Sequence, residues 1–109
     1  MVKVRFYTSP GGANPVEKYL DKLGGSEAAA VFAAILYIEQ HGIVDTPLNL
    51  RPIAGKLWEL KVSQQRVFYV IIIGPEMVLL HAYKKQGQKA PKNEIEVATK
   101  RMKDVLQTR

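Results

Sequence analysis

Residues 56–92 read KLWELKVSQQRVFYVIIIGPEMVLLHAYKKQGQKAPK, and this stretch decides the fold. Leu57, Glu59 and Lys61 alternate with Trp58, Leu60 and Val62, the period-two pattern of a strand with two unlike faces. Arg66 to Ile73 is so dense in β-branched and aromatic residues that both of its faces are expected to be covered. Met77 to Lys85 is apolar as far as His81 and then turns polar and cationic. Ser63-Gln64-Gln65 and Gly74-Pro75-Glu76 are short links, so the three strands are expected to pair antiparallel. A sheet that is apolar in its middle and basic at one end presents those cations to an anion.

Working outward, Val2 to Thr8 alternates as a further strand and is ended by Ser9-Pro10-Gly11-Gly12. Asn14-Pro15-Val16-Glu17 has the composition of a helix start, with Asn14 as cap, Pro15 at the first position and Glu17 closing a capping box. Val16, Tyr19, Leu20 and Leu23 then form one apolar face. Ser26 is expected to cap a second helix, Glu27 to His41, whose apolar residues run nearly all round and mark it as the buried member of a helical hairpin. Residues 43–55, with Pro47 and Pro52, read as a loop. A last helix runs from about Pro91 or Asn93 to Gln107 with Ile95, Ala98, Met102, Val105 and Leu106 as its stripe. The order is β-α-α-β-β-β-α. It predicts an α+β fold in one domain over residues 1–109, with the helices on one face of a small, mostly antiparallel sheet.

Composition narrows the function. The chain has no cysteine, which excludes disulfides, thiolate zinc sites and a cysteine nucleophile and fits a cytoplasmic setting. Neither a signal peptide nor an apolar run of the ~20 residues that span a bilayer is expected. Net charge is +6, and it is unevenly placed. Residues 1–80 carry 8 Lys and Arg against 7 Asp and Glu, whereas residues 81–109 carry 8 against 3. That asymmetry points to a polyanionic partner.

No HxxxH, DxD or CxxC spacing and no phosphate-binding glycine loop occurs, so neither metal catalysis nor a nucleotide cofactor is expected. What remains is Arg66, His81, Tyr83, Lys84, Lys85 and Lys89, with Glu59 and Lys61 on the neighbouring strand. These residue types suit cleavage of an RNA phosphodiester by its own 2′-hydroxyl. That reaction needs one group to take the 2′ proton, another to protonate the leaving 5′ oxygen, and fixed cations for the phosphorane-like charge. Arg66 and Lys85 meet the last need, and Tyr83, Lys84 or His81 the first two. Lys56, Lys61, Lys89 and Lys92 would hold RNA backbone, and Glu59 is counted with them in the RNA-binding surface. Each residue also has a structural reading: Arg66 as a surface ion-pair partner, His81 as a hydrogen-bonded core histidine, Tyr83 as a half-buried strand aromatic, Lys84-Lys85 as a solvated strand end, Trp58 as core.

KLWELKV, RVFYVIIIGPEMVLLHAYKK and QKAPKNEIEVATKRMKD together resemble the signature of the RelE/HigB toxin superfamily, specifically its phage-derived Gp49-like branch. The resemblance covers about half the chain. It implies a RelE-like fold and a ribosome-dependent, metal-independent mRNA endonuclease, the toxin of a type II toxin–antitoxin pair. Its partners would be mRNA on the ribosome and an antitoxin carrying a helix-turn-helix domain. Arg66 matches the family's arginine on the second of the three strands. Tyr83, Lys84 and Lys85 match its "FKK", and Lys89 the lysine before its "TP". Two departures stand out: Lys61 replaces an arginine and loses the bidentate fork, and Ala90 replaces a threonine that would cap the last helix.

Overall fold

The computed structural model describes residues 2–44, 46–87 and 91–107. In chain order the elements are β1 (Lys3–Phe6), α1 (Pro15–Leu23), α2 (Gly25–His41), β2 (Asn49–Ala54), β3 (Leu57–Val62), β4 (Gln65–Ile72), β5 (Glu76–Lys84) and α3 (Lys92–Gln107). The five strands form one sheet in the order β1-β5-β4-β3-β2. All neighbours are antiparallel except β1, which runs parallel to β5 at the sheet edge.

The α+β class, the helical hairpin and the three consecutive antiparallel strands are as the sequence predicts. The expected loop over residues 43–55 instead contains β2. Pro52 concealed it, because a proline cannot donate to a ladder and reads as a strand breaker. On an edge strand the missing donor costs nothing, and the register shifts at this point, between Pro52 and Ala54. The helices also do not share one face. α1 and α2 pack with Leu60, Val67, Tyr69, Met77, Leu79 and Ala82. α3 packs through Ala98 and Val105 against Leu57, Phe68, Val70, Ile72, Val78 and Leu80 on the other side. Covering both faces is what the burial of β4, complete but for the partly buried Ile71, requires.

Three local expectations are corrected. Asn14 precedes α1 but makes no side-chain capping bond, and its Oδ1 is buried without a partner. Its ψ of 78° is too small for the extended conformation that folds a cap over the first turn. α2 begins at Gly25, ahead of Ser26, and buries only the face formed by Ala28, Val31, Ala34, Ile35 and Ile38; Phe32 and Leu36 are exposed. Trp58 is not core. It is 37% exposed and lines an apolar groove of about 600 Å³ with Leu48, Leu50 and Tyr69.

The decisive irregularity lies in β5. Opposite Phe68 and Tyr69 of β4 stand His81 and Leu79, so Leu80 is an extra residue. Such a bulge places two successive side chains on one face. Val78 and Leu80 therefore share the α3 face with His81 and Tyr83, while Met77, Leu79 and Ala82 face the hairpin.

A polar chain ties the hairpin to the sheet. The Tyr19 hydroxyl donates to Gln65 Oε1, and Gln65 Nε2 donates to Glu27 Oε2 at 2.9 Å. Gln65 is almost fully buried, so losing its amide leaves two partners unsatisfied. Gln65→Ala is expected to cost about 1–3 kcal/mol, read as a lower urea midpoint with an unchanged slope.

Candidate functional site

The β3–β4–β5 ladder brings Lys61, Arg66 and Tyr83 into one row, since Lys61 pairs with Arg66 and Arg66 with Tyr83. All three lie on the face covered by α3. Lys85 follows one residue beyond β5, its N–H bonded to Gln64 O at 2.8 Å, and alternation carries it to the same face. Lys84 is exposed and alternates to the hairpin face. Lys56 lies exposed in the turn before β3, at the other end of that strand and about 15 Å from Lys61 at the usual strand rise. Lys92 is the exposed first residue of α3. Lys89 lies outside the described residues.

Arg66 is not a surface ion-pair partner. It is 5% exposed, and Nη1 donates to Ser63 O at 2.7 Å and to Gln65 O at 3.0 Å. Ser63 makes the first contact possible by adopting a left-handed φ of 54°, which turns its carbonyl back toward the strand. Glu59 is fully buried on the same face. One oxygen accepts from Arg51 Nε at 2.9 Å, and the other accepts a long 3.4 Å bond from the Tyr83 hydroxyl. The Tyr83 ring stacks with Phe68, at 5.5 Å between centroids. Burial pushes its phenol up to about 12, with the Glu59 charge and hydrogen bond adding to the rise and Arg66 opposing it. At neutral pH Tyr83 is a hydrogen-bond donor and a poor base.

His81 stacks in line with Phe68 and Tyr83 and is held from both sides by α3. Arg101 Nη1 donates to Nδ1 at 3.1 Å and to Leu80 O at 3.0 Å. Glu94 Oε1 lies 2.7 Å from Nε2. Arginine has no acceptor, so Nδ1 must be the unprotonated nitrogen and Nε2–H the donor to Glu94. Arg101 itself has its pKa lowered by burial. Its guanidinium also lies over the Tyr7 ring, 5.8 Å from the centroid, and the Tyr7 hydroxyl donates to Asp104 at 2.8 Å.

Arg51, Glu94 and Arg101 were not anticipated as members of this cluster. Arg51 was hidden with its strand. Glu94 and Arg101 carry a usable signal, because they are seven residues apart and flank the Ile95–Ala98–Met102 stripe on the side that meets the sheet. Among the described residues no group of three or more His, Asp or Glu is placed to hold a metal ion, and no helix is long and apolar enough to cross a membrane.

A small α+β protein with a five-stranded sheet, helices on both faces and a cationic end fits a compact toxin of the RelE type. The chain belongs to the family described as phage derived protein Gp49-like (DUF891), part of the RelE/HigB-like toxins, whose model matches residues 18–103. The match runs from α1 through the middle of α3 and includes Arg51, Glu59, Lys61, Arg66, His81, Tyr83, Glu94 and Arg101, while Tyr7 and Asp104 lie outside it. It makes the chain a toxin–antitoxin-related protein of phage derivation. No protein of curated function matches it.

Tyr69 and Tyr83 are both pushed up to about 12 by burial, from an ordinary value of 10. Groups whose pKa is raised on folding contribute stability that is complete below the unfolded value and is lost as pH rises through the folded one. The protein should therefore lose stability between pH 10 and about 12, and two of its five tyrosines should ionise at the top of that range in an ultraviolet titration. Tyr83→Phe should remove one of the two late protons.

Proposed function

We propose that this protein is the toxin of a type II toxin–antitoxin pair and acts as a ribosome-dependent, metal-independent mRNA endonuclease in the cytoplasm. Its partners are mRNA on the ribosome and a helix-turn-helix antitoxin. The observation that carries the reading is the row Lys61–Arg66–Tyr83 on one sheet face, next to a histidine fixed in a single tautomer. Family membership supports the toxin part of it.

In this reading the 2′-hydroxyl attacks the adjacent phosphorus and the 5′ oxygen leaves. Negative charge grows on the non-bridging oxygens, and Arg66 and Lys85 stabilise it. Arg66 suits that role because its carbonyl contacts fix the guanidinium before substrate arrives, so little reorganisation is needed in the transition state. Tyr83, held protonated, donates a hydrogen bond to the phosphate. Proton transfer falls to the His81 side of the cluster. Lys61, Lys89 and Lys92 bind backbone phosphates, and Lys56 and Lys84 extend that contact to the far end and the opposite face. Arg51, half-exposed beside Glu59, adds a cation to the same ridge.

One observation favours a second reading, a non-catalytic module that binds RNA or an antitoxin. Arg66 and Tyr83 are both nearly buried and already engaged within the protein. A binder of that kind would show affinity that falls steeply with salt and no cleaved product on translating ribosomes.

Induced expression of the wild type beside Arg66→Ala and Lys85→Ala, with 5′-end mapping of mRNA, separates the two. Growth arrest with new cuts inside translated frames is expected for the wild type, and a loss of about 10²–10³-fold in cleavage rate for Arg66→Ala. If both folded variants cut as well as the wild type, this assignment of the phosphate site is wrong. Normal growth with intact messages and soluble wild-type protein would favour the binding module.

A further inference from the structure

We infer that Glu94 is the general base of the cleavage reaction, with His81 and Arg101 as positioning residues that hold it; the inference rests on the nuclease reading above. Three observations carry it. First, His81 has no lone pair to offer substrate: Nδ1 accepts from Arg101 and Nε2–H points at Glu94. A histidine bonded in this way orients another group and does not itself abstract a proton. Second, Glu94 gives only Oε1 to His81, and among the described residues nothing is bonded to Oε2. Its side chain is 26% exposed, so this carboxylate has one oxygen fixed and one available. Third, Glu94 faces the site. It is bonded to His81, whose ring stacks with that of Tyr83 at 6.3 Å between centroids, so the carboxylate lies on the same sheet face as the Lys61–Arg66–Tyr83 row.

The other proton-handling groups fit less well. Tyr83 is a phenol that stays protonated, Glu59 is fully buried and shared between Arg51 and Tyr83, and Lys84 alternates to the opposite face. The step balances with Glu94 in place. The 2′ O–H bond breaks and its proton goes to Oε2, and the 2′ oxygen bonds to phosphorus. The P–O5′ bond then breaks and the 5′ oxygen takes a proton from water, giving a 2′,3′-cyclic phosphate and a 5′-hydroxyl; the proton held on Oε2 returns to the hydroxide so formed, which restores water and the carboxylate. Arg101 serves the step at one remove. Its bond to Leu80 O anchors it to the bulge, and its bond to Nδ1 forces the tautomer that donates to Glu94.

An acid in the first turn of a helix is also favourable against the helix dipole, which is a merely structural role. Glu94→Gln distinguishes the two, because glutamine keeps an oxygen that accepts from His81 Nε2–H but cannot take a proton. Titratable groups around Glu94 are His81 and Tyr83 on β5, Arg101 on α3 and Tyr19 on α1; Tyr83 in turn faces Glu59 and Arg66. In single-turnover cleavage on translating ribosomes, Glu94→Gln should lose about 10²–10⁴-fold in rate and lose the acidic limb of the pH–rate profile. Its melting temperature and its affinity for RNA should stay close to the wild type. A folded Glu94→Gln that cuts within about threefold of the wild type overturns the assignment.

Should glutamine not support the fold, Glu94→Asp decides. A displaced acidic limb with a fall of about tenfold or more supports a base withdrawn from its substrate, and a wild-type rate and profile overturns it. Wild-type protein that cuts nothing on translating ribosomes would remove the nuclease reading and this inference together. Active wild type with active Glu94→Gln removes this inference alone.

Discussion

One extra residue in β5 fixes what the two faces of this sheet contain. Up to Leu79 the strand alternates regularly, Met77 and Leu79 toward the helical hairpin and Val78 toward α3. Leu80 is unopposed in the ladder, and from there the alternation is reset by one place. Without it His81 and Tyr83 would face the hairpin core, where Val67 and Tyr69 stand, and Ala82 would occupy the polar face. With it, His81 meets Phe68, Tyr83 meets Arg66, and the small Ala82 fills the position beside Val67. The carbonyl of the bulged residue is then bonded by Arg101, so α3 secures the irregularity that creates its own polar contacts.

The electrostatics follow from that placement. A fully buried carboxylate is costly unless it is paired and hydrogen-bonded. Glu59 meets that requirement with two partners: Arg51 across the β2–β3 ladder, and Tyr83, which reaches it only because the bulge sets Tyr83 on this face. Arg66 is buried beside them and, among the described residues, forms no salt bridge. Two backbone carbonyls satisfy one of its nitrogens, and one of these carbonyls depends on the left-handed Ser63. The site is thus a set of charges whose positions are determined by backbone geometry, with little side-chain freedom left to them.

The core of the fold was legible in the sequence because its signals are local. Period-two alternation in Leu57–Val62 and the apolar density of β4 specify strands whatever their neighbours do. Short polar links specify antiparallel pairing. The misreadings have a common cause, namely that the same local pattern means different things in different tertiary settings. Pro52 forbids a central strand and permits an edge one. The apolar circumference of α2 suggests full burial, yet many of its residues are alanines, which tolerate exposure, and only one face meets the sheet. For the site, Arg66, His81 and Tyr83 were identifiable as residues, but their arrangement was not. Period-two reading puts His81 and Tyr83 on one face and cannot say which, because a bulge between two leucines leaves no mark in composition.

The cations divide into two kinds, and the division bears on how such a surface would handle RNA. Lys56, Lys61, Lys84 and Lys92 are exposed, and a lysine is a compact point charge on a flexible stem. Charges of that sort attract phosphates at a distance and release counterions, so their contribution depends strongly on salt and little on geometry. Arg66 is withdrawn from solvent and Arg101 partly so, and both are held by carbonyls or a ring nitrogen. Their fields are weakly screened, because the medium around them is less polarisable than water. They can favour one charge distribution at one place, which is what a transition state requires and a backbone tether does not. Burial of Arg66 acts in two directions: it limits how much of the guanidinium a ligand can touch, and it fixes the direction of the field that the guanidinium presents.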